Sequence, residues 1–428
     1  MRMTRHLHSQ SLTARYASII ALLAAFVGCA GQTRIADCAS SPTAICVAEL
    51  ANAERSSVAT GTAQVSAAIE VALAQAAAGD AETAAQTLAA VTPFAAALDD
   101  STERAVELTA LASTAATLQD KQWLETWLAT ATTSAASVTT ASKRNDLTSK
   151  LAVASAALDH QAALDAVLKL PEVDSTDAAY KARALAELAP VFAAGGDWSL
   201  AERALEAATM GLLYYRSVGY TRIARLAPDA SQQRRYLRTA VGIARKLDDG
   251  YFKAGALRQA AAAYIALGNN ATGKRFYNDA AVAAVTASTA ERRARATSRI
   301  ATSLADDGNY LEAAALLPIS LMALESEERE TMRLWSYYEI AGSAAFAGDD
   351  ALATELIERI PPETAFGGSP LQPAAVRDLA FGLARHGETS RAIRVAAAIE
   401  SPRERVQALA RIARVLADPD MASLPRYL

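Results

Sequence analysis

Small and apolar residues recur along this chain at helical spacing, and short polar segments interrupt them at regular intervals. One arrangement appears six times: a small residue, a glycine seven residues later, and a second small residue five residues after the glycine. The glycines that mark it are Gly79, Gly196, Gly268, Gly308, Gly348 and Gly387. From Gly268 onwards, successive glycines are 40, 40 and 39 residues apart. A fixed period of this size predicts an array of helix pairs.

The spacing also predicts what each position does. Two helices approach closely only where the side chains at their crossing are small, so the flanking small residues predict the crossing of the two helices in each pair. The glycine ends the first helix, because it adopts the left-handed conformation without steric cost. An acidic or amide residue often follows, as at Asp80 and Asp197, and suits both the turn and the N-cap of the second helix.

Two stretches resemble the tetratricopeptide repeat. One runs from Ile300 through Gly308-Asn309-Tyr310 to Ala313, and the other from Leu185 through Gly196-Asp197-Trp198 to Ala201. The repeat unit here is nearer 40 residues than the 34 of that family. Weaker copies turn near residues 119, 159 and 228. The resemblance covers roughly residues 48–418 and implies an all-α protein, an α-solenoid of about nine to ten helix-hairpin repeats.

The N-terminal segment predicts export. Arg2, Arg5 and Arg15 precede an apolar run over residues 16–28, which is too short for a membrane span and typical of a signal peptide. The sequence Phe26-Val27-Gly28-Cys29 resembles the bacterial lipoprotein box. That resemblance implies that Cys29 is acylated and becomes the mature N-terminus, and Ala30 after it favours the outer membrane. An ordinary secretory signal or a retained anchor helix are the alternatives.

The chain therefore divides into four predicted parts. Residues 1–28 are the signal peptide, 29–47 a flexible tether, 48–420 the solenoid and 421–428 a C-terminal tail. The tether contains Cys38 and Cys46, the only cysteines after Cys29. In an oxidising compartment these two could form a disulfide; the alternative is two free thiols. No metal site is expected there, since no histidine or third cysteine lies nearby after processing.

Charge is distributed unevenly along the chain. Residues 211–300 contain 16 Lys or Arg against five acids, whereas residues 301–370 contain 13 acids against three basic residues. One interpretation is solvated helix faces joined by ion pairs between adjacent repeats. The other is a surface for an anionic partner, such as a cell-wall polymer, a lipid headgroup or an acidic protein segment. Nucleic acid is not an expected partner of an exported protein.

No arrangement of residues predicts catalysis. The histidines after the signal peptide, His160 and His386, fall at predicted hairpin turns far apart in the array. The segment Gly268 to Lys274 fits the glycine and lysine spacing of a phosphate-binding loop. However, Arg275 stands where that loop needs Ser or Thr, and a predicted helix precedes the segment where the motif needs a strand. We therefore expect no enzymatic activity, cofactor or metal.

The resemblance to tetratricopeptide repeats also implies a binding groove. In that family the first helix of each pair lines the concave face, at positions thirteen, ten, six and three before the turn glycine. The large side chains at these positions are Arg183, Arg258, Arg295, Trp335, Tyr338, Arg377 and Phe381. Arginine and aromatic residues often dominate interfaces, although long side chains can also simply cover apolar surface.

Two functions remain open at the level of sequence. The first is a scaffold of the bacterial cell envelope, lipid-anchored at Cys29 and facing the periplasm, which binds another envelope protein through the groove. In this picture the lipid anchor is the protein's only contact with the membrane. The second is an envelope ligand-binding protein that holds an anionic polymer or lipid headgroup on its basic middle repeats.

Overall fold

A computed structural model describes residues 29–172, 174–208, 212–366 and 369–418, and these are almost entirely helical. In chain order the helices are α1 (Cys29–Ser40), α2 (Ala44–Arg55), α3 (Thr62–Ala77), α4 (Ala81–Ala96), α5 (Ser101–Thr117), α6 (Lys121–Ala136), α7 (Ala141–Ser155), α8 (His160–Leu168), α9 (Ser175–Ala194), α10 (Trp198–Ala207), α11 (Leu213–Leu226), α12 (Ala230–Ala244), α13 (Gly250–Ala266), α14 (Asn270–Ala284), α15 (Ala290–Asp306), α16 (Tyr310–Leu324), α17 (Glu330–Ala347), α18 (Asp350–Glu358), α19 (Leu371–Arg385), α20 (Thr389–Ala397) and α21 (Pro402–Ala417). Between α18 and α19, β1 (Ala365–Phe366) and β2 (Ser369–Pro370) form a short antiparallel pair. The predicted all-α solenoid is confirmed.

The six glycines of the repeat end helices in the way that their spacing predicts. Each has a positive φ, between 76° and 92°. The residue after each glycine donates its backbone N–H to a carbonyl five residues earlier, as Asp80 does to Gln75 at 2.9 Å and Asn309 does to Leu304 at 2.8 Å. This hydrogen bond defines the Schellman motif and satisfies a carbonyl that the helix end would leave unpaired. At residue 119 the same turn forms with Gln119 at φ 57°.

The residue that closes each turn often also begins the next helix. The Asp80 carboxylate accepts a hydrogen bond from the Thr83 backbone N–H at 3.0 Å, and Asp349 accepts one from Leu352 at 3.1 Å. These side chains satisfy backbone donors in the first turn of the second helix. One polar residue therefore serves two helix ends, which keeps the hairpin turns short.

The small residues of the repeat lie where the two helices of a pair cross. The alanines seven before and five after the glycines are at most 1% exposed: Ala72, Ala84, Ala189, Ala201, Ala261, Ala301, Ala313, Ala341, Ala353, Ala380 and Ala392. Gly273 takes this place in the pair α13–α14, where an added Cβ would lie 2.9 Å from the Ala261 carbonyl oxygen. Gly268 and Gly273 thus occupy a turn and a helix crossing, and a helix precedes them, so this segment is not a phosphate-binding loop.

The helix pairs form two layers. The first helices, α3, α5, α7, α9, α11, α13, α15, α17, α19 and α21, each pack against the first helix of the next pair. The second helices, α4, α6, α8, α10, α12, α14, α16, α18 and α20, pack mainly against their own first helix and the one after it. The first helices therefore form a continuous inner layer, and the second helices cover its outside.

The array closes on itself. Helix α21 packs against α3, its neighbour in the inner layer, and against α2, which takes the place of its second helix. The seam is apolar at its centre, with Val47, Ala51 and Val406 fully buried in one cluster. Arg405 Nε lies 2.9 Å from a carboxylate oxygen of Glu54 at its edge. The N-terminal helix α2 thus completes a tenth pair and joins the two ends of the chain into a ring.

The segment predicted to be a flexible tether is instead helical and forms part of this seam. Helix α1 packs against α20, and the Ser390 hydroxyl donates to the Ala39 carbonyl oxygen at 2.5 Å. Cys38 and Cys46 form a disulfide between α1 and α2, with their Cα atoms 5.9 Å apart. A cross-link over so short a loop stabilises a fold by roughly 2–3 kcal/mol. Residues 1–28 and 421–428, predicted as signal peptide and tail, lie outside the described residues.

The Gly273→Ala substitution tests the close crossing of α13 and α14. The new Cβ would lie 2.4 Å from Ile265 Cγ1 as well as against the Ala261 carbonyl. We expect the free energy of unfolding in urea to fall by about 1–3 kcal/mol, because a methyl group is forced into a packed contact.

Gly242→Ala is the matched control, since this helical glycine has no atom within 4 Å of the added Cβ. That change should raise the free energy of unfolding by about 0.5–1 kcal/mol, as alanine is the better helix former. Equal effects of the two substitutions would contradict the close crossing.

Candidate functional site

A cavity of about 200 Å³ opens on the inner layer of the ring. Only first helices contribute to it: α11, α13 and α15. Its lining residues are Tyr214, Tyr251, Phe252, Gly255, Arg258, Ala296 and Arg299. The site therefore combines three aromatic rings with two arginines, on the face that the repeat architecture turns inward.

The aromatic side chains of the cavity come from the first turns of two adjacent inner helices, α11 and α13. Tyr214 and Tyr251 each occupy the second position of their helix, and Phe252 follows Tyr251. The Phe252 ring centroid lies 5.5 Å from that of Tyr214 and 5.6 Å from that of Tyr251. Gly255 leaves the room for this arrangement, because a Cβ there would lie 3.1 Å from the Tyr214 ring. The rings thus form a tilted aromatic wall.

The two arginines of the cavity are held from different sides. Arg299 Nη1 donates to the Tyr251 hydroxyl oxygen at 2.6 Å, and its Nη2 lies 3.1 Å from Glu339 Oε1. Arg258 Nη1 donates to Ser303 Oγ at 2.6 Å, whereas its Nε is buried without a hydrogen-bond partner among the described residues. Burial raises the pKa of Tyr251 above its ordinary value, so the hydroxyl stays protonated at neutral pH. The cavity can accept an anionic or planar polar group.

The other predicted groove arginines form ion pairs between repeats. Arg183 Nη2 lies 2.6 Å from Asp146 Oδ1 on the preceding first helix. Arg295 Nε lies 3.1 Å from Glu339 Oε2 on the following one. Because these guanidinium groups already face carboxylates, they hold adjacent repeats together and offer little to a partner.

Arg377 follows the same rule at the C-terminal end of the array. It contacts Glu404 and donates to the Tyr338 hydroxyl oxygen at 3.2 Å. The remaining predicted aromatics pack against other aromatic rings. Trp335 stacks on Phe366 with ring centroids 4.3 Å apart, and the Phe381 centroid lies 5.4 Å from that of Phe346. Of the seven predicted groove residues, Arg258 alone lines the cavity.

The groove positions taken from the tetratricopeptide family do not all line the cavity of this ring. Ser298 and Thr302 stand ten and six residues before Gly308, yet both are buried and share hydrogen bonds with Ser343 of the next first helix. In α15 these two positions therefore face the neighbouring repeat. The cavity could have been found from another signal, the aromatic pairs Tyr214-Tyr215 and Tyr251-Phe252, which recur 37 residues apart at helix starts.

Ion pairs between repeats also account for some of the basic residues in segment 211–300 and some of the acids in segment 301–370. Lys274 Nζ lies 2.9 Å from Glu312 Oε1, and Arg295 and Arg299 both contact Glu339. In each case a basic residue of the segment 211–300 meets an acid of the segment 301–370. This agrees with the interpretation of the charge pattern as repeat-to-repeat pairing for these side chains.

Both histidines contact the adjacent repeat at hairpin turns. His160 Nδ1 pairs with the Asp197 carboxylate, and His386 Nε2 lies 3.0 Å from the Phe346 carbonyl oxygen. Among the described residues, no group of three or more His, Cys, Asp or Glu side chains is arranged to hold a metal ion. Within the same part of the chain, no helix is both long enough and apolar enough to span a bilayer.

Glu107 is a buried carboxyl on the inner helix α5, and burial raises its pKa to about 7 against the pull of Arg403. The native state therefore keeps a proton that the unfolded chain, with an ordinary pKa of 4.5, has already lost. Its contribution lowers the free energy of unfolding as pH rises from about 4.5 to 7. We expect Glu107→Gln to remove this pH-dependent decrease in the free energy of unfolding, which is of order 1–3 kcal/mol. Thermal unfolding measured between pH 4.5 and 7 checks it.

Glu125→Gln on the exposed face of α6 is the control and should leave the pH dependence unchanged. Parallel stability–pH curves for wild type and Glu107→Gln would show that the Glu107 carboxyl does not carry a raised pKa.

No protein-family model matches this sequence, and no curated protein matches it. Among solved structures, the crystal structure of Ton1535 from Thermococcus onnurineus NA1 is similar to this chain at 14% sequence identity and a TM-score of 0.32. The alignment covers 76% of this chain and 93% of that one. Similarity at this level carries no inference about function.

Proposed function

We propose that this protein is a non-enzymatic scaffold of the bacterial cell envelope that binds another envelope protein on the inner layer of its helical ring. The observation that carries the proposal is the cavity between α11, α13 and α15. Tyrosine and arginine are the side chains that most often dominate protein interfaces, and here they converge on one concave surface.

The size and chemistry of the cavity indicate what it would bind. At about 200 Å³ it is smaller than a typical small-molecule site and suits a single side chain or terminal group of a larger partner. The tilted rings offer apolar contact, and Arg258 and Arg299 bring positive charge to the lining. A partner segment that presents a carboxylate beside an aromatic or apolar side chain fits both features.

Export and acylation at Cys29 belong to the same proposal. The basic and apolar N-terminal segments support it, as does the lipoprotein-like sequence that ends in Cys29. The disulfide between Cys38 and Cys46 supports it independently, because disulfides persist in oxidising compartments and not in the cytosol. An acyl group on Cys29 would tether the ring directly at α1, which begins at that residue.

Site-specific photocrosslinking tests the binding surface. A photoreactive phenylalanine analogue replaces Phe252, which is 39% exposed in the cavity, in the bacterium that expresses the protein. We expect a discrete crosslinked product from an envelope protein. Arg258→Gln in the same chain should reduce its yield about ten-fold, because a central interface arginine contributes strongly to binding.

The analogue at Phe94 is the matched control, since that residue is 45% exposed but lies on α4 in the outer layer. The same product from both positions, or no loss of yield with Arg258→Gln, would argue against binding at the inner cavity. Arg295 is unsuitable for this test, because its ion pair with Glu339 also joins repeats.

Metabolic labelling with palmitate tests the lipid anchor. We expect the wild-type protein to incorporate the label and to fractionate with the outer membrane. Cys29→Ala should abolish the label, because the thiol of this residue is the acylation site in the proposal. Label that persists in Cys29→Ala, or an unlabelled wild-type protein, would refute acylation and leave the binding proposal intact.

A further inference from the structure

Three exposed arginines gather on the outer layer of the ring, away from the inner cavity. Arg238 lies on α12, Arg245 caps its C-terminus, and Arg275 lies in the first half of α14. The guanidinium carbons of Arg245 and Arg275 lie 5.9 Å and 5.0 Å from the centroid of the same ring, that of Phe276. The two charges therefore converge on one spot between the two helices.

The Tyr264 ring extends the same site. It stacks on Phe276 with centroids 5.3 Å apart. Burial raises the pKa of Tyr264, and the positive charges of Arg238, Arg275 and Arg245 act against that rise. Within the described residues, no carboxylate oxygen lies within 4.0 Å of any of these three guanidinium groups. This sets them apart from inner-layer arginines such as Arg183, Arg295 and Arg377, which pair with acids.

The outer layer also carries a row of exposed apolar side chains. Leu311, Ile319 and Met322 lie along one face of α16 and are 86%, 43% and 66% exposed. Val282 of α14, 68% exposed, occupies the same repeat position as Met322. Isolated exposed apolar residues are common on proteins, but a row along one helix that continues onto the next is a feature of interaction surfaces.

The arginines and the apolar row lie on neighbouring helices of the outer layer. The ion pair between Lys274 and Glu312, with N and O atoms 2.9 Å apart, joins the starts of α14 and α16. Arg275 follows Lys274 in the sequence and Leu311 precedes Glu312, and both of these side chains are exposed. Basic side chains beside exposed leucine, valine and methionine are the combination that binds the interface of an anionic bilayer.

We propose that the outer surface of α12, α14 and α16 docks on a membrane that contains anionic lipids. The arginines Arg238, Arg245 and Arg275 would contact phosphate groups, and Leu311, Ile319 and Met322 would enter the boundary between headgroups and acyl chains. This contact is additional to any lipid anchor. The contact uses a surface separate from the inner cavity. Its test is therefore independent of the proposed scaffold function.

The test is vesicle cosedimentation of the full-length chain carrying Cys29→Ala, which removes acylation. Vesicles of phosphatidylcholine alone are compared with vesicles that also contain phosphatidylglycerol. All variants share the same N-terminus, so differences between them arise from the docking surface. We expect binding only with the anionic lipid, and binding that weakens as salt is added.

Two double variants separate the contributions of the arginine charges and of the apolar side chains to vesicle binding. Arg245→Gln with Arg275→Gln should weaken binding about thirty-fold, at about five-fold for each basic residue near an anionic surface. Leu311→Ser with Met322→Ser should weaken it about ten-fold, through loss of apolar burial. Arg245→Lys with Arg275→Lys should restore most of the binding, since charge is kept.

The matched control is Lys121→Gln with Lys169→Gln, which removes two exposed charges from other second-layer positions and should bind like the parent. Parent-like binding by either the arginine or the apolar double variant would overturn the proposal. If the arginine variant loses binding, the apolar variant does not, and soluble polyphosphate displaces the protein, the ligand is a soluble polyanion and membrane docking is wrong.

Discussion

The packing of α2 and α3 against α21 is the contact on which the rest of the architecture depends. In an open solenoid, each repeat is stabilised by its neighbours and the terminal repeats have one neighbour only. Here every first helix has two, because α3 follows α21 in the inner layer and α2 covers it from outside. The disulfide between Cys38 and Cys46 joins α2 to α1, which itself packs against α20 beside this contact. The concave surface is consequently the inside of a ring.

Closure brings alternate repeats into contact at the turn ends of the inner helices. Arg385 at the end of α19 pairs with Asp306 at the end of α15, across the intervening α17. The C-terminal half of α17 is accordingly buried, including Glu339 and Ser343. Acids in this enclosed layer must be paired or protonated, since an isolated buried charge is costly. Glu339 is paired with two arginines, whereas Glu107 shows the other outcome in its raised pKa.

The sequence was sufficient to predict the unit but not its assembly. The turn glycines and crossing alanines follow from local rules: positive φ at Gly308 and close packing at Ala313 need no knowledge of distant residues. Closure depends on the small rotation between successive pairs, summed over ten of them, and no single residue specifies that sum. For the same reason α1 and the first residues of α2 looked like a tether, since the helices they pack against lie more than 300 residues away in the sequence.

The binding residues were only partly predictable for a related reason. A groove register taken from shorter repeats selected arginines such as Arg183 and Arg295, whose carboxylate partners come from adjacent repeats and could not be assigned without the helix rotations. Arg258 lies on the inner layer, in a cavity whose aromatic wall comes from helix starts that the predicted groove positions did not include. The charge imbalance was visible in the sequence, but it did not show which basic side chains pair with acids of an adjacent repeat.

The distance between the two ends of the array tests ring closure most directly. Spin labels at the exposed residues Ser57, after α2, and Glu400, before α21, can be measured by double electron–electron resonance. Because packed helices lie about 8–10 Å apart, the ring predicts one narrow distribution below about 30 Å. An open array of ten pairs would separate the labels along a path of roughly 90 Å, and a broad distribution at long distance would contradict the closed ring.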